Sequence, residues 1–365
     1  MPKVIISGGG TGGHIFPALA IADALKRQDE NIEILFVGAE GKMEMERVPI
    51  AGYDIIGLPI RGIQRRISLA NLKVPFLLIK SLWMARSILH GYKPDVVIGV
   101  GGYASGPLLR MAAWMGIPTM VQEQNSYPGI TNKLLAKRAK KIFVAYEGME
   151  RFFPGEKIVL SGNPIRKQAV AITDKRSEAV EYFSLDKDKS TLFFVGGSLG
   201  ALVINQAVEK LLPFICKKEV QVLWQTGANS FESLDVKLKA SLPSQVKMLK
   251  FIERMDLAYA LADVIISRAG AMSISELCVI GKPVIFIPSP YVSEDHQTKN
   301  ALALTQKDAA ILLKETEALD QIEKILEDLL DNEGKRLGLA ENIKALSKPT
   351  ADDDIAHHVL EYIRS

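Results

Sequence analysis

The fold is constrained most strongly by a motif that occurs twice, in which a short β-rich apolar run leads through glycines into an amphipathic helical pattern. The first copy is Val-Ile-Ile-Ser-Gly-Gly-Gly at residues 4–10, and the second is Leu-Phe-Phe-Val-Gly-Gly-Ser at residues 192–198. Apolar runs and helical patterns alternate after each copy, which is typical of a parallel sheet covered by helices on both faces. The sequence therefore predicts an α/β protein with two Rossmann-like, doubly wound domains.

Two series of strands divide the chain. We predict strands at residues 3–7, 32–37, 96–99, 119–122 and 141–145, and then at 191–195, 220–224, 246–251, 263–267 and 283–287. A chain of 365 residues exceeds the usual size of a single core. Gly162 and Pro164 interrupt the periodicity between the two series, so we place the domains at 1–162 and 163–349. A last helix, 350–365, has an acidic start and is expected to pack back on the first domain.

Composition and cysteine usage limit the class of protein. The chain is 48% hydrophobic and 24% charged, as soluble globular proteins are. Its two cysteines, Cys216 and Cys278, lie in no pattern typical of zinc ligands or of a disulfide framework. We find neither the pattern of a secretory leader nor a run of about 18 apolar residues. We therefore expect a cytoplasmic protein that has neither a structural zinc site nor a disulfide framework and does not span a membrane.

Charge is distributed unevenly along the chain. Residues 1–160 carry 20 Lys/Arg and 13 Asp/Glu, a net charge of +7, whereas the remainder has 25 and 29, a net charge of −4. The segment 61–93 contains no acidic residue and mixes large apolar side chains with Arg61, Arg65, Arg66, Lys73, Lys80, Arg86 and Lys93. It fits either a packed core with a solvated basic face or a surface on an anionic membrane leaflet, and the lack of acids favours the membrane. Nucleic-acid binding is not expected, because aromatics are few there and no recognition module is present.

The first glycine turn has the spacing Gly8-x-Gly10-x-x-Gly13 between a strand and a helix. Glycine allows the backbone to approach a ligand closely there and to adopt positive φ angles. No Lys-Ser/Thr pair follows, which excludes a Walker-type phosphate loop. A dinucleotide site with Glu40 as the ribose ligand stays open. His14, at the start of the helix, is the best-placed general base of the chain.

Polar and glycine-rich segments follow several other predicted strands. They are Gly99 to Gly106, Gln122-Glu-Gln-Asn125, Gly196 to Gly200, Arg268 to Glu276, and Glu294 to Asn300. The turn at Gly196 leads into a helix whose free N–H groups suit a pyrophosphate, and Ser198 adds a hydroxyl donor. Glu276 fits either an acceptor for ribose hydroxyls or a partner of the helix dipole in the first turn. The last segment gathers groups that hydrogen-bond sugars.

These segments together resemble one family. Seven segments are similar to those of the bacterial N-acetylglucosaminyltransferases that make lipid II. They are Ser7-Gly-Gly-Gly-Thr-Gly-Gly-His-Ile-Phe-Pro, Gly-Gly-Tyr-Ala-Ser-Gly-Pro, Glu123-Gln-Asn125, Gly162-Asn-Pro-Ile-Arg166, Gly-Gly-Ser-Leu-Gly-Ala, Ser267-Arg-Ala-Gly-Ala-Met-Ser-Ile-Ser-Glu276 and Asp-His-Gln-Thr-Lys-Asn-Ala. The matching segments span nearly the whole chain in the family's order. The resemblance implies a GT-B fold with two domains facing a cleft, the first for the lipid acceptor and the second for the nucleotide sugar.

The resemblance also implies roles for single residues. Those expected to line the cleft or contact the donor are Thr11, Gly12, Gly13, Asn125, Arg166, Ser198, Ile252, Arg268, Ala271, Met272, Glu276 and Gln297, with Asn300 near the sugar. Ile252 would hold uracil through its backbone. Two residues depart from the family: Leu199 stands where Gln is frequent and removes one diphosphate contact, and Gln122 stands where His is frequent and cannot act as a base.

The implied reaction is an inverting transfer from UDP-GlcNAc to the C4 hydroxyl of MurNAc in undecaprenyl-diphospho-MurNAc-pentapeptide, lipid I. It would need no metal and no other cofactor. His14 would be the base, and Arg166 or Arg268 would bear leaving-group charge. The enzyme would lie peripherally on the cytoplasmic face of the membrane through segment 61–93. Three alternatives stay open: a glycolipid transferase with another acceptor, a nicotinamide-dependent oxidoreductase, and a noncatalytic nucleotide-sugar binding protein. The oxidoreductase would leave the second set of glycine turns without a role.

Overall fold

The computed structural model describes residues 1–61, 74–238 and 241–365. These residues form two compact units. The first unit comprises Met1–Ile165 together with Lys348–Ser365, and the second comprises Arg166–Ser347.

Each unit is built on a parallel sheet. Among the described residues, the strands of the first sheet are β1 (Lys3–Gly8), β2 (Glu33–Ala39), β3 (Asp54–Leu58), β4 (Val96–Gly101), β5 (Thr119–Glu123), β6 (Lys141–Val144) and β7 (Ile158–Leu160). Their order across the sheet is β3-β2-β1-β4-β5-β6-β7, and all pairs are parallel. The order reverses between β1 and β4. Ligands of open α/β sheets bind at the carboxyl ends of strands at such a point.

Helices cover both faces of this sheet. They are α1 (Gly12–Gln28), α2 (Glu44–Ile50), α3 (Val74–Tyr92), α4 (Ser105–Trp114), α5 (Ile130–Ala136) and α15 (Ala351–Arg364), with 3₁₀ turns at Met149–Arg151 and Gly155–Lys157. Alternate residues of β1 point to opposite faces, as the period of a strand requires. Val4 and Ile6 join the core under α1 and α15, whereas Ile5 joins the core under α3 and α4.

The second unit repeats this plan. Its strands within the described ranges are β8 (Thr191–Val195), β9 (Gln221–Gln225), β10 (Val246–Leu249), β11 (Val264–Ser267), β12 (Val284–Phe286) and β13 (Ile311–Leu312). They are parallel and follow the order β10-β9-β8-β11-β12-β13. The reversal therefore falls between β8 and β11, the positions that correspond to β1 and β4.

Helices of the second unit complete its core. They are α6 (Lys167–Val170), α7 (Arg176–Phe183), α8 (Leu202–Lys218), α9 (Phe231–Leu238), α10 (Met255–Leu261), α11 (Ala271–Ile280), α12 (His296–Thr305), α13 (Ala318–Asp331) and α14 (Glu333–Ala345), with a 3₁₀ turn at Ser293–Asp295. Leu192 and Phe194 of β8 and Trp224 of β9 are fully buried in one core with residues of α8 and α13. This packing fixes the carboxyl ends of β8 and β9 beside each other.

The observed elements agree with the predicted strands to within two residues, with three omissions. Strands β3, β7 and β13 were not predicted, because each lies at an edge of its sheet and carries partly exposed residues, which weakens the apolar pattern. Helix α15 begins with three Asp residues in its first turn, and two of them, Asp352 and Asp353, also bind the guanidinium of Arg27 on α1 at 2.7 Å. No helix within the described ranges is long and apolar enough to cross a membrane.

Candidate functional site

The turn after β1 is packed backbone to backbone against the turn after β4. Gly10 has φ +85°, a conformation that favours glycine. A Cβ on Gly102 would lie 2.4 Å from the carbonyl oxygen of Gly9, so only glycine fits at that position. The glycines of the first turn therefore serve close packing between two strand ends at the switch point.

His14 is the third residue of α1 and is half-buried. Its Nδ1 lies 3.0 Å from the carbonyl oxygen of Gly9 and 3.3 Å from Oγ1 of Thr11. A carbonyl oxygen only accepts hydrogen bonds, so Nδ1 donates, and the lone pair of the neutral ring is on Nε2. The ring rests on Gly101, where an added Cβ would lie 2.7 Å from Cδ2 of the imidazole. His14 is thus oriented to accept a proton at Nε2.

Residues 11–13, which precede His14, differ in their contacts and in their exposure. The hydroxyl of Thr11 contacts the His14 ring, while Gly13 is exposed. A Cβ on Gly12 would lie 3.0 Å from the ring of Phe16. The structure therefore brings Thr11, predicted as a substrate contact, into contact with the predicted base.

The side chain of Glu44 reaches this turn from a neighbouring element, and the sequence did not indicate this contact. It is the first residue of α2, and its side chain is 1% exposed. Its carboxylate accepts hydrogen bonds from the backbone N–H of Gly10 at 2.9 Å and of Ala39 at 3.0 Å. An acid at the start of a helix is favoured by the helix dipole alone, so the sequence offered no signal of this contact. A buried carboxylate in the turn disfavours a phosphate there.

A buried network of amides follows β5. Gln122 has no exposed surface, and its Nε2 donates to Oδ1 of Asn163 at 2.9 Å. Nε2 of Gln124 donates to the carbonyl oxygen of Val100 at 2.6 Å, and Nδ2 of Asn163 donates to the carbonyl oxygen of Gln124 at 3.0 Å. The departure at Gln122 is therefore part of the packing that joins β5 to the end of the first unit.

Asn125, a predicted donor contact, lies in the same region. Glu123 accepts hydrogen bonds from the backbone N–H and Nδ2 of Asn125 at 3.0 and 3.2 Å, and from Nδ2 of Asn132 at 2.8 Å. Burial raises the pKa of Glu123, and these donors oppose the shift. Glu123 thus fixes the loop that carries Asn125.

The turn after β8 has a different chemical character. Gly197 and Gly200 have φ +89° and +87°. A Cβ on Gly200 would lie 2.1 Å from the carbonyl oxygen of Thr226, and one on Gly227 would lie 2.0 Å from the nitrogen of Gly200. Helix α8 begins after Ala201 without a side-chain cap. Within the described part of the chain, no carboxylate is hydrogen-bonded to the N–H groups of residues 196–201, and Ser198 and Leu199 are exposed.

Gln225 joins this turn to the segment after β10 by hydrogen bonds. This residue was not identified from the sequence. It is the last residue of β9 and is 3% exposed. Its Nε2 donates to the carbonyl oxygen of Gly197 at 3.0 Å, and its Oε1 accepts from the backbone N–H of Ile252 at 2.9 Å. A polar residue at the carboxyl end of a strand is the signal that could have found it, but the predicted strand ended one residue earlier.

The contact with Gln225 narrows the role expected of Ile252. The side chain of Ile252 is 2% exposed, as expected for a residue that acts through its backbone. Its N–H is already donated to Gln225. The backbone carbonyl of Ile252 is therefore the group with which this residue can bind a nucleobase. It can accept a hydrogen bond from an N–H group of the nucleobase.

Arg166 and Glu276 form a bidentate ion pair. Nε and Nη2 of Arg166 donate to the two carboxylate oxygens at 2.7 and 2.9 Å, and the hydroxyl of Tyr259 donates to Oε2 at 3.4 Å. The hydrogen bonds that Arg166 donates to Glu276 raise the pKa of Arg166, and burial raises the pKa of Tyr259. Glu276 is the sixth residue of α11, beyond the first turn, so the dipole interpretation of this residue is wrong. Its partner is Arg166.

Arg268 is held by an acid. Its Nη1 donates to the carbonyl oxygen of Ile287 at 2.9 Å and to Oε2 of Glu315 at 2.5 Å, and its side chain is 16% exposed. Arg268 is thus paired with Glu315, as Arg166 is paired with Glu276, and its role as a donor contact stays a prediction.

The remaining predicted residues lie on α11 and α12. Ala271 and Met272 form the first turn of α11, which begins after Gly270 without a side-chain cap. Oε1 of Gln297 accepts from the backbone N–H of Ser289 at 2.9 Å, and Asn300 is fully buried. Across the described residues, no group of three or more His, Cys, Asp or Glu side chains could hold a metal ion.

Two family models match the chain, one within the first unit and one across most of the second unit and part of α15. The model of the glycosyltransferase family 28 N-terminal domain matches residues 4–144, and that of the glycosyltransferase family 28 C-terminal domain matches residues 191–359.

Full-length relatives carry a single name. The UDP-N-acetylglucosamine--N-acetylmuramyl-(pentapeptide) pyrophosphoryl-undecaprenol N-acetylglucosamine transferase of Flavobacterium psychrophilum is 53% identical, with 100% of this chain and 98% of that protein covered. The transferase of the same name from Christiangramia forsetii is 52% identical, with 100% and 98% covered.

Solved structures agree on the fold. The MurG structure of Acinetobacter baumannii matches with a TM-score of 0.79 and 28% identity, covering 99% of this chain and 100% of that one. A UDP-GlcNAc 2-epimerase from Neisseria meningitidis, bound to UDP-GlcNAc, has a TM-score of 0.71 at 14% identity, with 99% and 100% covered, and shows the fold alone. The predicted fold class, two Rossmann-like parallel-sheet domains of the GT-B type, is confirmed.

Proposed function

The chain belongs to glycosyltransferase family 28, and we propose on that premise that it transfers N-acetylglucosamine from UDP-GlcNAc to the C4 hydroxyl of MurNAc in undecaprenyl-diphospho-MurNAc-pentapeptide, lipid I. The products are lipid II and UDP, and the reaction is a step of peptidoglycan synthesis. The observation that carries this conclusion is the match along the full chain to relatives that share one transferase name.

We assign the acceptor to the first unit and the donor to the second, with domain limits near 162 and 349. The turn after β1 contains the buried carboxylate of Glu44 and presents His14, which suits a hydroxyl group that must lose a proton. The turn after β8 leads into an uncapped helix, which suits a diphosphate. The two turns thus support different halves of one reaction.

The mechanism is a single displacement with inversion. Nε2 of His14 takes the proton of the C4 hydroxyl while the oxygen forms a bond to the anomeric carbon of the sugar. The bond between that carbon and the diphosphate oxygen breaks, and UDP leaves with the electron pair. The N-termini of α8 and α11 stabilise the charge on the diphosphate, so the step is assigned no divalent metal.

Donor binding is assigned to the second unit's strand ends, with Asn125 added from the first unit. Ser198 contacts the diphosphate, the Ile252 carbonyl accepts from uracil, and Glu276 accepts from ribose hydroxyls with the lone pairs that Arg166 leaves. The other residues placed in this site are Arg166, Ala271, Met272, Gln297 and Asn300. Arg268, whose guanidinium is paired with Glu315, is a further donor contact that bears part of the leaving-group charge.

We further propose that the first unit lies on the anionic cytoplasmic leaflet. Phe76, Ile79 and Trp83 follow helical spacing on α3 and are 75%, 55% and 72% exposed. Lys80 and Arg86 on the same helix are exposed, and Arg110 of α4 lies 5.0 Å from the ring of Trp114. Exposed aromatics beside cations suit a lipid interface. The same predicted surface also includes Arg65, Arg66 and Lys73, which lie outside the described residues.

Vesicle flotation tests the membrane proposal. The double variant Phe76→Ser, Trp83→Ser is expected to lose most binding to vesicles that contain phosphatidylglycerol, whereas Val236→Ser, an 83% exposed apolar residue of the second unit, keeps it. Equal flotation of all three proteins, or wild-type flotation that is independent of anionic lipid and of salt, would contradict the proposal.

The structure argues against the nicotinamide alternative. Glu44 occupies the N–H of Gly10, one of the groups that a dinucleotide pyrophosphate would need. Glu40, the ribose ligand of that alternative, is exposed after β2. The noncatalytic alternative gives no role to the oriented imidazole of His14.

A transfer assay tests the proposed function. Purified protein is incubated with radiolabelled UDP-GlcNAc and lipid I, and label in the lipid fraction is measured beside NADH absorbance. We expect label in lipid II and no change in absorbance. If label appears only when another glycolipid replaces lipid I, the assignment of lipid I as the acceptor is wrong. If no label is transferred at all, the assignment of the protein as a transferase is wrong.

A further inference from the structure

One peptide group lies between a buried carboxylate and the imidazole of His14. The peptide that joins Gly9 to Gly10 donates its N–H to Oε2 of Glu44 at 2.9 Å. The carbonyl oxygen of the same peptide accepts the Nδ1–H of His14 at 3.0 Å. Carboxylate, peptide and imidazole are therefore joined by two consecutive hydrogen bonds through one planar group.

Such a chain polarises the imidazole. A carboxylate that accepts from the N–H draws electron density toward the carbonyl oxygen, and consecutive hydrogen bonds strengthen one another by about 10–30%. The stronger acceptor holds the proton on Nδ1 and stabilises the imidazolium that forms when Nε2 takes a proton. In serine hydrolases a carboxylate does this by direct contact with the ring, whereas here a peptide group stands between them.

The surrounding glycines leave the carboxylate little room to move. A Cβ on Gly9 would lie 2.0 Å from Oε1 of Glu44, and one on Gly38 would lie 2.5 Å from its Cγ. The second oxygen of Glu44 is held by the N–H of Ala39 at 3.0 Å. Glu44 is thus fixed from three sides, and its contact with the turn is part of the fold of β1 and β2.

We infer that Glu44 is a positioning residue for the transfer reaction, which sets the tautomer and the basicity of His14 through the peptide group between Gly9 and Gly10. The inference rests on the proposed role of His14 as the base. The turns packed on the ring carry one further ionisable side chain, Tyr103, and α2 contributes Glu44. Glu44 touches no substrate in this account and acts only through His14.

Glu44→Gln tests the inference, with Glu46→Gln as the matched control. Both changes remove one negative charge from α2, but Glu46 is exposed. In Glu44→Gln we expect kcat to fall about 10-fold with the KM for UDP-GlcNAc within about twofold, since general-base catalysis is weakened and donor binding is not. The acid limb of the rate profile and the NMR titration of His14 should move to lower pH by about 0.5 unit. Glu46→Gln should match the wild type in all four quantities.

A measurement on the unmodified protein keeps the inference testable if Glu44→Gln does not fold. Long-range ¹⁵N NMR of the imidazole should show the Nδ1–H tautomer, and the amide proton of Gly10 should shift as His14 titrates. A predominant Nε2–H tautomer, or a folded Glu44→Gln protein with unchanged His14 titration and unchanged kcat, would overturn the inference. Normal turnover of His14→Ala would instead refute the base itself, even where the NMR data place Glu44 as described.

Discussion

The turns after β1 and β8 begin from the same pattern and end with opposite chemistry. Both lie at the reversal of strand order in their sheets, and both lead from glycines into a long helix. In the first turn a buried carboxylate, Glu44, occupies the N–H of Gly10. In the second, residues 196–201 have no such acid among the described residues, and the neutral amide of Gln225 supports the turn instead.

This difference teaches that a strand–glycine–helix motif specifies a place for a ligand without specifying its charge. The glycines provide close packing in both turns, against Gly102 in one and Gly227 in the other. The side chain that reaches the turn from a neighbouring element decides whether an anion is accepted. The first turn is left to present a base, and the second to bind a diphosphate.

Removing the base should have the largest effect. His14→Ala is expected to lower kcat by about 10² to 10⁴-fold, the usual contribution of a general base, while UDP binding stays within about twofold. Steady-state kinetics and calorimetric titration with UDP measure the two quantities. His357→Ala, an exposed histidine of the same unit, is the control and should behave as the wild type. Near-normal turnover of a folded His14→Ala protein would show that the first turn does not present the catalytic base.

Placing a carboxylate in the second turn should make it resemble the first. Ser198→Asp is expected to raise the KM for UDP-GlcNAc about 10 to 100-fold, because a negative charge is set beside the diphosphate. Ser198→Asn has nearly the same size without the charge and should raise it far less. If the Asp and Asn variants bind the donor equally well, the diphosphate does not lie at this turn.

Crowding the imidazole tests its orientation. In Gly101→Ala the new Cβ would fall 2.7 Å from the His14 ring at a φ of +101°. We expect kcat to fall about 10-fold with the donor KM unchanged, since reacting groups must be held in near-attack geometry. Gly116→Ala is the matched control, because Gly116 also has a positive φ, +78°, but nothing within 4 Å of the added Cβ. Equal kinetics of the two variants would show that ring orientation does not limit the rate.

Acid sensitivity of the second unit gives the smallest expected effect. Hydrogen bonds from Arg254, and then from Lys175, hold the pKa of Asp256 well below its usual range. A depressed carboxyl pKa gives stability that is present above the unfolded value of about 3.9 and is lost as pH falls through the folded value. Asp256→Asn should therefore lower Tm by about 3 °C at pH 7 and by progressively less below pH 4.

Calorimetry across pH measures this, with Asp320→Asn as the control. The side chain of Asp320 is 84% exposed and pairs with Lys210 at 3.3 Å, so its loss should leave Tm unchanged. If the Tm of Asp256→Asn stays below that of the wild type by the same amount from pH 7 to pH 3, the ion pairs are not the cause of the difference.

The sequence predicted the described strands except β3, β7 and β13, because alternation and glycine turns are local patterns. It also predicted the position of His14 at the start of the helix that follows β1. It could not predict Glu44 or Gln225, because each acts across strands through contacts that only the tertiary packing creates. The same reason explains the ion pair between Arg268 and Glu315, which are distant in sequence. Residue type and spacing locate a site, whereas the partners that tune it come from elsewhere in the fold.

Kinetics of His14→Ala and Ser198→Asp, measured side by side with lipid I and UDP-GlcNAc, test the division of work between the two turns most directly. We expect His14→Ala to lower kcat with little change in the KM for UDP-GlcNAc, and Ser198→Asp to raise that KM with a much smaller change in kcat. Loss of donor binding in His14→Ala together with normal donor binding in Ser198→Asp would contradict this division.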